Sequence, residues 1–332
     1  MTVNRQILLA SRPTGWPTEA NFKLVESPLP RPGENQVLVR SHFLSLDPYM
    51  RARMDAVKSY AKSVEVGEVM VGGAVGEVIE SKSPKLAKGD FVVGPLGWQE
   101  FAAADAAAVM KVDTKLAPPS VYLGTLGMPG VTAWVGLIDI FQPKTGETVV
   151  VSAASGAVGS VVGQLAKSHG CRAVGIAGGA KKCEYVVKEL GFDACIDYKA
   201  GNLHHDLKDA TPNGVDVYFE NVGGETLDAV LTRMNPFARI AVCGLISQYN
   251  ASDPYGVKNL RSVLVNRVKM QGFIVSDRME LWPRALNDLG TLFAQGKLKY
   301  RETVAEGLAS APAAFLGMLR GENFGKQVVR LV

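Results

Sequence analysis

The sequence predicts an α/β chain in which a β-rich N-terminal domain precedes a doubly wound, six-stranded parallel sheet. Three observations carry this. The first ~120 residues are dominated by short strand patterns broken by Gly and Pro. From about Val121 onward, apolar strand runs alternate with helical stretches. Within that second part, ETVVVSAASGAVG at Glu147–Gly159 carries a buried strand into a glycine-spaced turn and a helix.

The elements follow in order. Gln36–Ser41, Val69–Ser81 and Asp90–Val93 read as strands, separated by turns such as Pro30-Arg31-Pro32-Gly33 and Lys88-Gly89-Asp90. Six strand candidates come next: Thr148–Ser152, Ala173–Ala177, Ala194–Asp197, Val215–Phe219, Arg239–Val242 and Lys269–Val275. Helices separate most of them. Val158–His169 sets Val161, Val162, Leu165 and Ala166 on one face, and Cys183–Leu190 and Glu225–Met234 follow. Helix Met279–Gln295 leads out and Gly296 ends it. The tail Tyr300–Val332 has a strand-helix-strand character of its own. Since the sheet already has its six strands, the tail is expected to rejoin the first domain. The expected division is therefore 1–121 with 300–332, and 122–299.

The turn after Thr148–Ser152 carries Ala153, Gly156 and Gly159 at three-residue spacing. Small residues there let backbone amides approach a pyrophosphate, and the following helix offers unpaired N–H groups and the positive end of its dipole. This is a dinucleotide grip and points to an oxidoreductase. The end of the next strand selects the cofactor. An NAD site wants a carboxylate for the ribose hydroxyls. Here Ala177–Lys182 reads AGGAKK, with no carboxylate between Val174 and Cys183. Lys181 and Lys182 oppose the dipole of the helix they begin, so a neighbouring anion accounts for them. The expected cofactor is NADPH, with Lys182 the better partner for its extra phosphate and Lys181 the alternative.

Composition bounds the rest. The chain has 332 residues, 47% of them hydrophobic, and a net charge of +4, which builds no nucleic-acid footprint. No apolar run reaches membrane-helix length, and the N-terminal apolar stretch is shorter than a secretory signal needs. The four cysteines, Cys171, Cys183, Cys195 and Cys243, show no zinc-knuckle spacing and fit reduced thiols of a cytoplasmic protein. Of the four histidines, His42, His169, His204 and His205, none has a motif partner, and the last two fall in a polar helical stretch.

A β-rich domain, a late dinucleotide fold and a C-terminal return together resemble the medium-chain dehydrogenase/reductase superfamily over the whole chain. That resemblance implies a GroES-like first domain and a Rossmann second domain. Zinc-dependent members carry a catalytic Cys and a Gly-His-Glu motif. The matching regions here, His42–Arg51 and Val71–Val78, keep the glycines and lack the ligand side chains. The four-cysteine structural lobe is missing too, and a metal-free enzyme is expected. Four motifs sharpen the resemblance: Ser45-Leu46-Asp47-Pro48-Tyr49-Met50-Arg51, Asn221-Val222-Gly223-Gly224, Cys243-Gly244-Leu245-Ile246-Ser247 and Gly321-Glu322-Asn323-Phe324-Gly325-Lys326. They resemble the NADPH-dependent double-bond reductases, the group of prostaglandin/leukotriene, alkenal and curcumin reductases.

The resemblance implies roles. Gly156, Ala157, Val158 and Gly159 hold the pyrophosphate, Lys182 the 2′-phosphate, and Tyr198 lies along the adenosine half. Asn221 lines the nicotinamide ribose. Cys243, Gly244, Ile246, Ser247 and Tyr249 follow the fifth strand past ribose and nicotinamide. Phe273, Ile274 and Val275 sit beside the nicotinamide, and Asn323 hydrogen-bonds the cofactor. The residues agree in one respect: Asn221, Cys243 and Val275 fall at expected carboxyl ends of parallel strands, where such folds bind ligands. A position aligned with Val265 is often tyrosine in relatives.

The expected reaction is hydride transfer to the β-carbon of an α,β-unsaturated ketone or aldehyde, followed by protonation of the α-carbon. Carbonyl reduction develops a basic alkoxide that needs a Lewis acid or strong donor. Conjugate addition develops a delocalised enolate that hydrogen-bond donors can hold. The candidate donors are Tyr49 and Tyr249, with Tyr255 third and the cofactor's ribose hydroxyl as the alternative. Asp55–Val64 and Asn250–Leu260 are expected to border the substrate. A quinone reductase and a non-catalytic NADPH-binding protein are the competing readings. The family and the apolar sixth strand predict a homodimer.

Overall fold

The computed structural model describes residues 3–332. The chain divides into two compact units, one running to Leu123 and resuming at Glu302–Val332, the other spanning Gly124–Arg301.

In the first unit, β1 (Val3–Leu9) and β2 (Phe22–Pro28) form an antiparallel pair. The main sheet contains β3 (Gln36–Ser45), β4 (Ala74–Ser81), β5 (Phe91–Gly94), β6 (Phe101–Asp105) and β7 (Met110–Lys111). One turn of helix, α1 (Tyr49–Ala52), follows β3. The strand expected over Val69–Ser81 begins only at Ala74. Ahead of it, Met70 exchanges backbone hydrogen bonds with Ile7 and Trp98 instead of joining the main ladder. Gly72 permits this: a Cβ there would come within 2.9 Å of the Trp98 ring. Trp98 stacks on Phe22 at 5.6 Å between ring centroids and meets Phe315 edge-on, also at 5.6 Å, which fills the centre of this unit's core.

The second unit holds the parallel sheet: β8 (Thr148–Ser152), β9 (Arg172–Ala177), β10 (Ala194–Asp197), β11 (Val215–Glu220), β12 (Met234–Val242) and β13 (Lys269–Gly272). Their order is β10-β9-β8-β11-β12-β13, and every pairing is parallel. This is the doubly wound arrangement, with the order reversing beside β8. Every residue of β8 is buried, as a central parallel strand covered on both faces requires.

The helices of this unit are α2 (Met128–Trp134), α3 (Gly159–Ser168), α4 (Ala180–Lys188), α5 (Leu203–Ala210), α6 (Gly224–Leu231), α7 (Arg261–Val265) and α8 (Trp282–Ala294). Several boundaries depart from the sequence expectation: α6 ends at Leu231, and β12 already begins at Met234, not Arg239. Helix α4 starts at Ala180, not Cys183, because Gly179 (φ 101°) turns the chain directly after β9. The sixth strand stops at Gly272, and Val275–Leu281 forms 3-10 turns. Pro283, suited to a first turn, places the start of α8 at Trp282, not Met279.

The tail supplies β14 (Glu302–Glu306), α9 (Ala311–Leu319) and β15 (Lys326–Arg330). Strand β15 pairs antiparallel with β3, setting Val328 opposite Ser45, and β14 adds to it in parallel. The C-terminal segment thus completes the first unit's sheet. Among the described residues, no helix is long and apolar enough to cross a membrane, and no group of three or more His, Cys, Asp or Glu could hold a metal ion.

Candidate active site

The glycine turn sits between β8 and α3. Ala153 adopts a left-handed conformation (φ 51°), and Gly156 N donates to Ala153 O at 2.9 Å. A Cβ on Gly159 would come 2.4 Å from Ala153 O, so glycine is the residue that lets helix and turn close on each other. Gly156, Ala157 and Val158 are partly exposed around that turn, ahead of the N-terminus of α3. A phosphate fits such a terminus.

At the end of β9, Lys181 is exposed and Lys182 is half-buried, both in the first turn of α4. Burial, and then the nearby Lys199, lower the Lys182 pKa below the ordinary lysine range. A cation desolvated beside a second cation favours an anionic ligand. Tyr198 follows β10 and lies across Gly178: a Cβ there would sit 2.9 Å from the tyrosine hydroxyl. The donor set fits a dinucleotide with an extra phosphate.

The ends of β8 and β11 are tied by a network that sequence reasoning did not identify. Ser152 Oγ donates to Glu220 Oε1 at 2.8 Å and accepts from Asn221 N at 2.8 Å. Asn221 Nδ2 donates to Ser152 O at 2.8 Å, and Val222 N to Glu220 Oε1 at 2.6 Å. The Glu220 carbonyl accepts from Cys243 N and Gly244 N. Glu220 is fully buried, and burial holds its carboxyl above the ordinary range despite the hydrogen bonds that lower it. Asn221 is therefore a clamp between two strand ends as well as a candidate ligand. The only signal in the sequence was a polar Ser ending one apolar strand and a Glu ending another.

Beyond β12, burial, with a smaller contribution from Glu220, pushes the Cys243 thiol up to about 12. The chain folds back on itself here. Leu245 N donates to the Tyr249 hydroxyl at 3.3 Å, and a Cβ on Gly244 would lie 3.0 Å from that hydroxyl. Ser247 Oγ donates to Val222 O at 2.6 Å, joining this turn to the one after β11, and Ile246 opens the 3-10 turn between them. Tyr255 donates its hydroxyl to Asp228 at 3.0 Å, and Asp228 also accepts from Lys258 N and Asn259 N. Tyr255 thus anchors the 250–260 loop to α6, and its proton is committed to that carboxylate. Phe273 turns inward and meets Phe219 edge-on at 6.1 Å. Ile274 and Val275 continue past the strand end, with Trp282 Nε1 donating to Val275 O.

Two candidates lie in the first unit. Tyr49 opens α1, packs against the core, and is held protonated: burial raises its pKa well above the phenol range, and Asp47 adds to the shift. Asn323 donates its side-chain amide to Gly325 O at 2.7 Å. Residues 55–64 form no helix or strand, and Val57 and Tyr60 are exposed.

Comparison with known proteins gives the family. A family model described as the N-terminal domain of oxidoreductase matches residues 5–112, and one described as zinc-binding dehydrogenase matches 157–290. The NADPH-dependent curcumin reductase of Escherichia coli is 48% identical over 99% of this chain and 97% of its own length. The NADP(+)-dependent 2-alkenal reductase of Nicotiana tabacum is 45% identical over 98% of this chain and 97% of its own. The chain belongs to the medium-chain dehydrogenase/reductase family, in its branch of NADPH-dependent double-bond reductases. A crystal structure of CurA from Vibrio vulnificus in complex with NADPH is also similar, at TM-score 0.94 and 49% identity, covering 99% of both chains. As a medium-chain reductase this protein is an oxidoreductase, and its glycine turn, Lys182 and strand-end network occupy the carboxyl edge where such folds take their cofactor.

Proposed function

We propose that this reductase uses NADPH to reduce the C=C bond of α,β-unsaturated ketones and aldehydes and spares the carbonyl. The observation that carries the reading is the near end-to-end similarity, at 48% and 45% identity, to reductases named for curcumin and for 2-alkenals, compounds that share a C=C bond conjugated to a carbonyl. Gly156, Ala157, Val158 and Gly159 would hold the pyrophosphate, Lys182 the 2′-phosphate and Tyr198 the adenosine half. Asn221, Cys243, Gly244, Ile246, Ser247, Phe273, Ile274, Val275 and Asn323 would line the rest. NADPH, when bound, supplies the hydride.

The chain's own residues do the remaining work. The Tyr49 phenol, kept protonated across the neutral range, is a donor for the oxygen on which enolate charge develops. Tyr249, with its hydroxyl held at Leu245 N, is the second donor. A homodimer through the β13 edge belongs to the same proposal. It is supported by Phe237, Leu260, Leu264, Val265 and Met270, apolar side chains left exposed on β12, α7, β13 and the segment before α7.

The test is oxidation of NADPH and of NADH with a panel of enones, quinones and saturated carbonyls, with products identified by mass and NMR. A saturated ketone formed with NADPH preference is expected. An allylic alcohol, or turnover confined to quinones, would overturn the reading.

A further inference from the structure

Two of the four cysteines lie on the outer part of the parallel sheet, where α4 packs on it, and the reduction chemistry uses neither. Strand β10 is one of the two edge strands, and Cys195 pairs in register with Gly175 of β9. Gly175 has no side chain to cover that spot. A Cβ there would stand 3.3 Å from Cys195 Sγ and 3.0 Å from Val186 Cγ1 of α4, so the Cys195 sulfur lies under the face that α4 turns to the sheet. Cys183 lies three residues before the buried Val186 on the same helix, a spacing that puts both on one face.

Both thiols thus lie where α4 meets the outer strands of the sheet, and each acts on the other: Cys195 favours the Cys183 thiolate, and Cys183 favours the protonated form of Cys195. Both residues are half-buried, which leaves a small oxidant access. Cys171, by contrast, is buried, and it donates to Lys144 O.

We propose that Cys183 and Cys195 form a reversible dithiol–disulfide site that joins helix α4 to the edge strand β10. This goes beyond the reductase reading and does not depend on it. The oxidant is a small peroxide or a low-molecular-weight disulfide. With hydrogen peroxide, the Cys183 sulfur attacks one oxygen, the O–O bond breaks, and a sulfenic acid and water result. The Cys195 sulfur then displaces the second oxygen as water, an S–S bond forms, and two thiols have been oxidised as one peroxide is reduced.

The two thiols differ in character: Cys195 lowers the Cys183 pKa and favours its thiolate, the nucleophilic form, while Cys183 and burial raise that of Cys195. Closing the pair to a bond of about 2.05 Å requires rotation of both side chains toward each other. Helix α4 can follow such a movement, because Val186 is its one buried residue.

The test treats the reduced, full-length protein with hydrogen peroxide, alkylates the remaining thiols and maps the peptides by mass. The expected product is a Cys183–Cys195 cross-linked peptide that dithiothreitol reverses, with Cys171 and Cys243 recovered alkylated. Oxidised glutathione should give the same cross-link. In C195S the cross-link is lost and Cys183 becomes trappable by dimedone as sulfenic acid. Recovery of both wild-type thiols alkylated, a cross-link to either of the other cysteines, or direct over-oxidation of Cys183 without a disulfide would each overturn the proposal.

Discussion

Lys326 Nζ lies 3.1 Å from Asp47 Oδ1, with both side chains more than nine-tenths buried. The ammonium also donates to Leu46 O at 2.6 Å and Gln327 O at 3.0 Å, so its three N–H donors meet three acceptors. Asp47 in turn accepts from Ser45 Oγ. The pair joins the first residue of β15 to the segment that leads into Tyr49. A residue near the C-terminus thereby fixes the backbone beside a candidate catalytic phenol.

Removing one member of this pair strands a buried charge, which costs about 3–5 kcal/mol. Lys326→Met is expected to lower stability by that order in urea unfolding, and Lys326→Met with Asp47→Leu to recover part of the loss. A double-variant loss equal to the sum of the Lys326→Met and Asp47→Leu losses would show that the two residues are not coupled.

Lys182→Ala is expected to weaken NADPH binding roughly 10- to 100-fold, the worth of a charge-assisted hydrogen bond, and to leave NADH binding unchanged. Titration by cofactor fluorescence separates the two. A parallel loss for both cofactors would remove Lys182 from the 2′-phosphate.

Tyr49→Phe keeps the packing and deletes the donor. Turnover should fall on the order of 100-fold, with little change in NADPH affinity. A kcat equal to wild type would exclude the phenol from the reaction, and Tyr249→Phe then becomes the decisive variant.

Glu220 gives a pH dependence of defined sign. Its folded pKa is raised by burial, so the native state binds the proton more tightly than the unfolded chain. Its contribution to stability is complete below the unfolded carboxylate value and is lost as pH rises through the folded one. Glu220→Gln keeps the acceptor for Ser152 and Val222 and cannot ionise. Relative to this variant, the wild type should lose stability as pH rises from the ordinary glutamate range toward neutrality. A difference in denaturation midpoint that does not change with pH would count against an ionising Glu220.

Leu264→Asp with Met270→Glu tests assembly. Charges on the exposed β13 side should convert a dimer to monomers in sedimentation velocity without loss of fold. A wild type that sediments as a monomer would remove the dimer from the proposal.

The parallel sheet was legible because strands buried on both faces are written as unbroken apolar runs, as in Val149–Val151. The same rule misled at the sixth strand: apolar Phe273–Val275 extends the run, but Phe273 packs on Phe219 after the ladder has ended. Helix α2 and its continuation through Phe141 escaped detection because they are buried nearly all round, leaving no polar face to show a helical period. Ser152 and Glu220, and Asp228 with Tyr255, were not recognised as networks, since their partners lie far apart in the chain and no local spacing relates them.

The sequence by itself determined the class of chain, the glycine turn, the absence of a carboxylate after β9 and the family motifs, because these are properties of residue type at short spacing. Tertiary structure alone decided which polar side chains are spent on one another. It committed Tyr255 to Asp228, Asn221 to Ser152 and Lys326 to Asp47, and it gathered Cys183 and Cys195 where α4 packs on the outer strands. The physical reason is that burial sets the worth of a hydrogen bond, a charge or a thiol contact, and burial exists only once segments distant in the chain have packed together.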